Sequence, residues 1–155
     1  MVLIVGGYST LVDGEGANAL SSAELYNPSN NTFTATDSML KPRAEHVATL
    51  LNDGRVLIAG GIDNSGNAPA SAEVYNPATG LFGTSVVSMS DGREDPSIAM
   101  LFDGRVLVAG GDDGSGPVDT SEIYDPNLNT FTSVTKLMTE KRWRTGYNYS
   151  EGSVP

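Results

Sequence analysis

One motif returns three times along the chain, and this repetition constrains the fold more than any other feature of the sequence. Glu-x-Tyr followed by Asn-Pro or Asp-Pro begins at Glu24, Glu73 and Glu122, at equal steps of 49 residues. A phenylalanine, an arginine and a Gly-Gly pair accompany the copies in a fixed order. Chance does not produce that agreement, so the 155 residues are predicted to form one domain of repeated units. The units are assigned to residues 1–38, 39–88 and 89–138, with the first strand of a further unit at 139–150.

Four kinds of residue repeat with the units, and each kind is predicted to have a structural role. These residues are the glycines Gly6, Gly7, Gly60, Gly61, Gly110 and Gly111, the glutamates Glu24, Glu73 and Glu122, the tyrosines Tyr26, Tyr75 and Tyr124, and the arginines Arg43, Arg93 and Arg142. A catalytic site needs one arrangement of side chains, whereas these residues are present in three copies. The glycines are expected where strands approach too closely for a Cβ atom. The tyrosines are expected in the core between units, each with a hydrogen-bond partner for its hydroxyl.

Each unit is predicted to contain four short strands. Asp-Gly at 53–54 and at 103–104 supplies the positive φ that a tight hairpin turn needs between the first and second strands. The Asx-Pro pairs at 27–28, 76–77 and 125–126 favour a turn between the third and fourth strands. The first strands, near 47–51 and 98–102, are apolar on both faces and are expected to be buried. No window has the 3.6-residue apolar period of a helix, so the predicted fold class is all-β.

The repeated glutamates lie among apolar strand residues, where a carboxylate is stable only when a cation pairs with it. The repeated arginines carry planar guanidinium groups, which match the geometry of a carboxylate. We therefore predict buried ion pairs between Arg43 and Glu73 and between Arg93 and Glu122.

These motifs resemble the kelch repeat, in which each unit of about 50 residues forms one four-stranded blade of a β-propeller. The Gly-Gly pair, the tyrosine and the aromatic residue of the fourth strand carry the resemblance, which extends over nearly the whole chain. Asp-Gly-Arg-Val-Leu-x-Ala-Gly-Gly at 53–61 and 103–111 is similar to the galactose-oxidase-type branch of the family. In two departures, phenylalanine replaces the usual tryptophan of the fourth strand, and the histidine three residues after the arginine is present only as His46.

The galactose-oxidase resemblance implies a copper site with a Tyr–Cys cross-link and two histidine ligands, but this chain has no cysteine and one histidine. No catalytic residue, cofactor or metal is therefore predicted. The acidic loops at 13–16 and 112–116 lack the spacing of a dedicated calcium-binding loop. Nineteen acidic and nine basic residues give a net charge of −10, which opposes binding to nucleic acid or to an anionic membrane.

Function is expected where the repeats differ. The distance from the glycine pair to the following glutamate is 17, 12 and 11 residues in the three units. In a propeller blade this loop shares a face with the connection to the next blade, so that face is the predicted binding surface. The predicted function is a non-catalytic kelch scaffold that presents these loops to a protein or a glycan. The alternative is a fragment of a larger catalytic propeller, either oxidase-like or sugar-modifying.

Candidate binding residues lie in the variable loops and two positions after the repeated arginines. The loop candidates are Asp63, Asp112 and Asp113. The residues two positions after the arginines are Glu45, Asp95 and Arg144, and Trp143 stands beside the last. The family resemblance implies that this second group lies near the central opening of the propeller.

The number of strands predicts how the chain assembles. Three blades' worth of strands is too few for a ring, because propellers close with about 4–8 blades. The simplest closure is a homodimer with a six-bladed ring, in which the strand at 142–150 of one copy completes the first blade of the other. Arg142 would then pair with Glu24 across the interface. A larger closed ring, a misassembled fragment, a piece of a longer propeller and an unusually short gene remain open.

Overall fold

The computed structural model describes residues 1–12, 15–83 and 87–142, with the main chain alone at 11, 12 and 15–17. These residues form β-strands and no helix, so none of them belongs to a helix long and apolar enough to cross a membrane. The strands are β1 Val2–Val5, β2 Tyr8–Val12, β3 Glu15–Ala19, β4 Ala23–Asn27, β5 Thr32–Ala35, β6 Val47–Leu50, β7 Val56–Ala59, β8 Ser71–Asn76, β9 Leu81–Phe82, β10 Val87–Ser88, β11 Ser97–Met100, β12 Val106–Ala109, β13 Ser121–Asp125 and β14 Thr130–Ser133.

The strands form three consecutive antiparallel sheets, which are the blades. Blade 1 has the order β1-β4-β5, blade 2 has the order β6-β7-β8 with β9 and β10 both pairing with β8, and blade 3 has the order β11-β12-β13-β14. The register is the same in all three, since Val2, Val56 and Val106 stand opposite Tyr26, Tyr75 and Tyr124. Strands β2 and β3 form a separate hairpin in the loop that follows β1. The all-β prediction with kelch-type blades is confirmed.

Tight turns join the strands on one face of the blades. Gly54 and Gly104 have φ of +87° and +85°, as predicted for the Asp-Gly turns. Asn31, Gly80 and Asn129 have φ of +56°, +71° and +55° and end the Asx-Pro turns. These residue types adopt the left-handed conformation with little strain, so the sequence of each turn matches its geometry.

The core lies between neighbouring blades. Ile58 and Tyr75 of blade 2 are fully buried in a cluster with Leu3, Val5 and Leu25 of blade 1. Val106, Val108 and Tyr124 of blade 3 are fully buried against Leu57, Ala59 and Ala72 of blade 2. Each tyrosine also packs against the phenylalanine of its own blade, with ring centroids 5.0 Å apart in blade 2 and 5.1 Å apart in blade 3.

The first blade departs from the predicted core. Tyr26 is half-buried, whereas Tyr75 and Tyr124 have no exposed surface. Ile4 is 48% exposed, although Ile58 and Val108 at the same register position are completely buried. The reason is that no described residue packs on this face of blade 1.

The first strands of the blades are also less buried than predicted. Leu50 of β6 is 65% exposed, and the residues of β11 are half-buried. Val47 packs toward blade 3, so Ala48 and Leu50 point to the side of blade 1. In blade 1 no described strand pairs with the free edge of β1, so no described residue covers those two side chains.

Candidate functional site on the loop face

Two buried arginines fix the blades beneath the loops. Nη1 of Arg43 donates to the carbonyl oxygens of Gly60 and Ser71, both at 2.8 Å, and Nη2 lies 3.1 Å from Oε1 of Glu73. In blade 3, Arg93 makes the corresponding bonds and lies 3.4 Å from Glu122. Both predicted ion pairs are therefore present. Burial lowers the pKa of Arg43, and its bond to Glu73 opposes that change.

The same arginines join one blade to the next through their main chains. The amide of Gly7 in blade 1 donates to the carbonyl oxygen of Arg43, and the amide of Gly61 in blade 2 donates to that of Arg93. A Cβ atom on Gly60 would meet the carbonyl oxygen of Arg93, which is the close approach that the glycine pairs predict. Gly7 differs, because a Cβ atom there would meet nothing within 4 Å. Its φ of +88° is the feature that favours glycine.

The loop face is the side of the blades that carries the β2–β3 hairpin, the loops at 60–70 and 110–120, and the connections at 36–46 and 89–96. Glu45 and Asp95, both predicted as binding residues, lie together on this face. They have φ of +53° and +45°, and the Asp95 amide donates to the Glu45 carbonyl oxygen at 3.1 Å. Carboxylate oxygens of Glu45, Glu94 and Asp95 all lie within 4.8 Å of one another, and the three residues are half-buried. We call these three residues the acidic centre.

Glu94 is the member of the acidic centre that sequence reasoning missed. It follows Arg93 directly, where the preceding unit has Ala44, so no repeat marks it. Its main chain pairs with Asp112, with N–O distances of 2.8 and 2.9 Å in the two directions. An acidic residue at a position that is apolar in the sister unit is a signal that could have identified it.

Burial and repulsion from neighbouring carboxylates perturb the titration of Glu94. The pKa of Glu94 is raised to about 7 by burial, then by a hydrogen bond and charge repulsion from Glu45, with further contributions from Asp112 and Asp95. The pKa of the neighbouring Tyr8 is raised to about 12 by burial and then by Glu45. Near neutral pH the Glu94 carboxyl therefore carries a proton for part of the time and donates it toward Glu45.

The three predicted loop aspartates shape their own loops. Oδ1 of Asp63 accepts the amides of Ser65 at 2.8 Å and Asn67 at 3.0 Å. Asp112 accepts the amide of Gly114 at 2.8 Å, and Asp113 accepts that of Ser115 at 2.7 Å. These turns keep the carboxylates on the loop face but outside the acidic centre. Trp143, Arg144 and the acidic loop residues 13 and 14 lie outside the described residues.

His46, the one histidine of the sequence, is half-buried next to Gly6. Burial, and then the charge of Arg43, lowers its pKa to about 4. Its Nδ1 has no described hydrogen-bond partner, and a Cβ atom on Gly6 would lie 3.0 Å from its Cε1. With one histidine and no cysteine in the sequence, the residues do not fit the cross-linked copper site that the family branch implies.

The comparisons with known proteins agree with this fold. A family model of the kelch motif matches residues 99–138. An F-box/kelch-repeat protein of Arabidopsis thaliana is 40% identical over 83 residues, which are 52% of this chain and 20% of that protein. The chain thus spans about a fifth of the length of this curated relative.

Two solved structures have similar folds. The structure of YjhT matches with a TM-score of 0.71 at 13% identity, over 90% of this chain and 50% of that chain. A fungal alcohol oxidase of the AA5 family, solved in complex with copper, matches with a TM-score of 0.64 at 22% identity. The match covers 88% of this chain and 28% of the oxidase chain. The family-model match, the relative and the two structures agree with the blades of this chain, which have the fold of a kelch-type β-propeller.

Proposed function

We propose that this chain is a non-catalytic kelch propeller module that binds a protein partner on its loop face. The observation that supports this proposal is that the differences between the three units lie on the loop face. The turns between the last two strands on the opposite face have the same length in every described blade, and each has a left-handed asparagine or glycine at the same position. The loop face instead has a β-hairpin in blade 1 and two different aspartate-closed loops in blades 2 and 3.

The charge of the loop face favours a basic segment in the partner. Its acidic centre holds three carboxylates within 4.8 Å, and Asp63, Asp112 and Asp113 lie in the loops of the same face. The arginines below do not neutralise these groups, because Arg43 and Arg93 already pair with Glu73 and Glu122. Lysine or arginine side chains would relieve this repulsion, and charge complementarity of this kind sets specificity and association rate.

A small cavity beside the acidic centre offers room for such a side chain. It has a volume of about 290 Å³ and is lined by Tyr8, Asn18, Ile62 and Asn64, among others. Tyr8 connects the cavity to the acidic centre through its hydrogen bond with Glu45. A lysine side chain placed here would bring its ammonium group toward Glu45.

Selection from a library of short randomised peptides tests the proposal. We expect enrichment of peptides with lysine or arginine, with binding that weakens as salt is added. The double variant Glu45→Gln/Asp95→Asn is expected to lower the affinity of a selected peptide at least about tenfold. Asp125→Asn is the matched control, because it removes a carboxylate from the opposite face and installs the residue found at 27 and 76.

Three results would overturn the proposal. They are no enrichment at all, enrichment without basic residues, and equal loss of affinity in the control. A glycan array probed with the same variants tests carbohydrates, the other class of ligand predicted for this face. Binding to a neutral glycan that is lost in the double variant would assign the face to carbohydrate instead.

A further inference from the structure

Blades 2 and 3 each contain a binding site for an arginine side chain. In blade 2 the site consists of the carbonyl oxygens of Gly60 and Ser71, the hydroxyl of Ser71 and the carboxylate of Glu73. In blade 3 the same positions are Gly110, Thr120 and Glu122, and Arg93 binds them at 2.9–3.4 Å. In both blades the arginine comes from the segment attached to the preceding blade.

Blade 1 has the same groups at the same register positions. The amide of Gly6 donates to the Ser22 carbonyl oxygen at 3.0 Å. The corresponding bonds are Gly60 to Ser71 at 3.3 Å in blade 2 and Gly110 to Thr120 at 3.0 Å in blade 3. Glu24 stands opposite Ile4 as Glu73 stands opposite Ile58. Glu24 is exposed, whereas Glu73 is 1% exposed, and no described cation lies against it. The site in blade 1 is therefore formed but has no arginine within the described chain.

The other end of the described chain holds an arginine without a site. The main chain of Arg142 is attached to blade 3, since the Gly111 amide donates to its carbonyl oxygen at 2.8 Å. The Gly61–Arg93 bond, at 2.7 Å, attaches Arg93 to blade 2 in the same way. The side chain of Arg142 is exposed and contacts no described carboxylate, whereas Arg93 is completely buried.

We propose that the Gly6–Ser22–Glu24 site of one copy binds Arg142 of a second copy of this chain. Among its described residues, each copy has one site without an arginine and one arginine without a site, so two copies related by a two-fold axis satisfy both through two identical junctions. Val2 and Ile4, which are 53% and 48% exposed, become covered as their counterparts are in blades 2 and 3.

Charge exchange between the two positions tests this interface. Light scattering is expected to give a dimer, twice the chain mass of 16.2 kDa. Glu24→Arg alone and Arg142→Glu alone are each expected to weaken the dimer by about 100-fold or more, because each removes one partner of a buried pair. The double variant Glu24→Arg/Arg142→Glu restores the opposite charges and is expected to restore the dimer.

Further variants keep the test independent of folding and of overall charge. Lys136→Glu changes the net charge as Arg142→Glu does, at an exposed residue outside the site, and is expected to leave the dimer intact. Because the chain has no cysteine, Glu24→Cys and Arg142→Cys can be combined in one chain and joined between copies by a bismaleimide. A folded monomer of the parent chain, oligomers that grow past the dimer, or a double variant no better than the single variants would overturn the proposal. The interface does not depend on the loop-face proposal, so either can fail alone.

Discussion

Nη2 of Arg43 lies 3.1 Å from Oε1 of Glu73, and neither side chain is exposed to solvent. Glu73 also accepts the amides of Leu40 at 2.7 Å and Lys41 at 3.0 Å. One carboxylate thus holds both the guanidinium and the chain segment that carries it. Removal of the charge from either side would leave its partner buried alone.

Glu73→Gln is therefore expected to destabilise the protein by about 3 kcal/mol or more, since an unpaired buried charge costs that much. In a domain of this size the melting temperature is expected to fall by roughly 6–12 °C. Thermal unfolding followed by circular dichroism measures the change. Asp53→Asn is the control, because this aspartate is exposed and surface pairs such as Asp53–Arg55 contribute about 1 kcal/mol or less. Equal losses in the two variants would contradict the role of the buried pair.

Glu94 and His46 are expected to give opposite pH dependences of stability. The pKa of Glu94 is raised to about 7 in the folded state, so its contribution is complete below pH 4.5 and is lost as pH rises to about 7. The pKa of His46 is lowered to about 4, so the unfolded state binds the extra proton and stability is lost as pH falls from 6.5 to about 4. In the parent protein the two effects oppose each other over most of this range.

Single variants separate the two contributions. In Glu94→Gln, where His46 remains, the free energy of unfolding is expected to increase from pH 4.5 to 6.5. In His46→Asn, where Glu94 remains, it is expected to decrease from pH 4.5 to 7. Denaturant unfolding at a series of pH values measures both slopes. Parallel pH profiles for the two variants would show that these groups do not control the dependence.

Two glycines with similar backbone angles are expected to tolerate alanine differently. Gly60 has φ of +67° and Gly66 has φ of +76°. A Cβ atom on Gly66 meets nothing within 4 Å, so Gly66→Ala should cost only the left-handed strain of about 1–2 kcal/mol. Gly60→Ala adds a collision with the Arg93 carbonyl oxygen and should cost clearly more. Chemical denaturation of the two variants compares them directly, and similar midpoints would refute the close-approach explanation.

Arg55 and Arg105 form a second matched pair. Both bind the aspartate of their own turn, Asp53 or Asp103, on the surface. Of the two arginines, Arg55 also reaches the next blade: its Nη2 donates to the Pro126 carbonyl oxygen of blade 3 at 2.9 Å. Arg55→Ala is expected to cost about 1 kcal/mol more than Arg105→Ala, the contribution of one hydrogen bond. Equal unfolding free energies would mean that this contact between turns adds nothing.

The sequence predicted the features that repeat more completely than those that do not. The strand positions, the Arg43–Glu73 and Arg93–Glu122 pairs and the turn glycines followed from motifs present in several copies, because each copy tests the same interpretation. Glu94 was missed because its partner Glu45 is 49 residues away and belongs to a different unit. The burial of the first strands was overestimated because residue type alone does not reveal which blade lacks a neighbour.

The attachment of each junction arginine to two blades bears on how the protein unfolds. Arg43 is bonded through its main chain to blade 1 and through its side chain to blade 2, and Arg93 connects blades 2 and 3 likewise. In a repeat array, the strength of such nearest-neighbour terms relative to the stability of one repeat determines cooperativity. If one blade unfolded, a guanidinium or a carboxylate in the next blade would lose its buried ion-pair partner. Partly unfolded arrays are therefore expected to be strongly disfavoured. We therefore expect the described blades to unfold as one cooperative unit, although the sequence divides into three repeats.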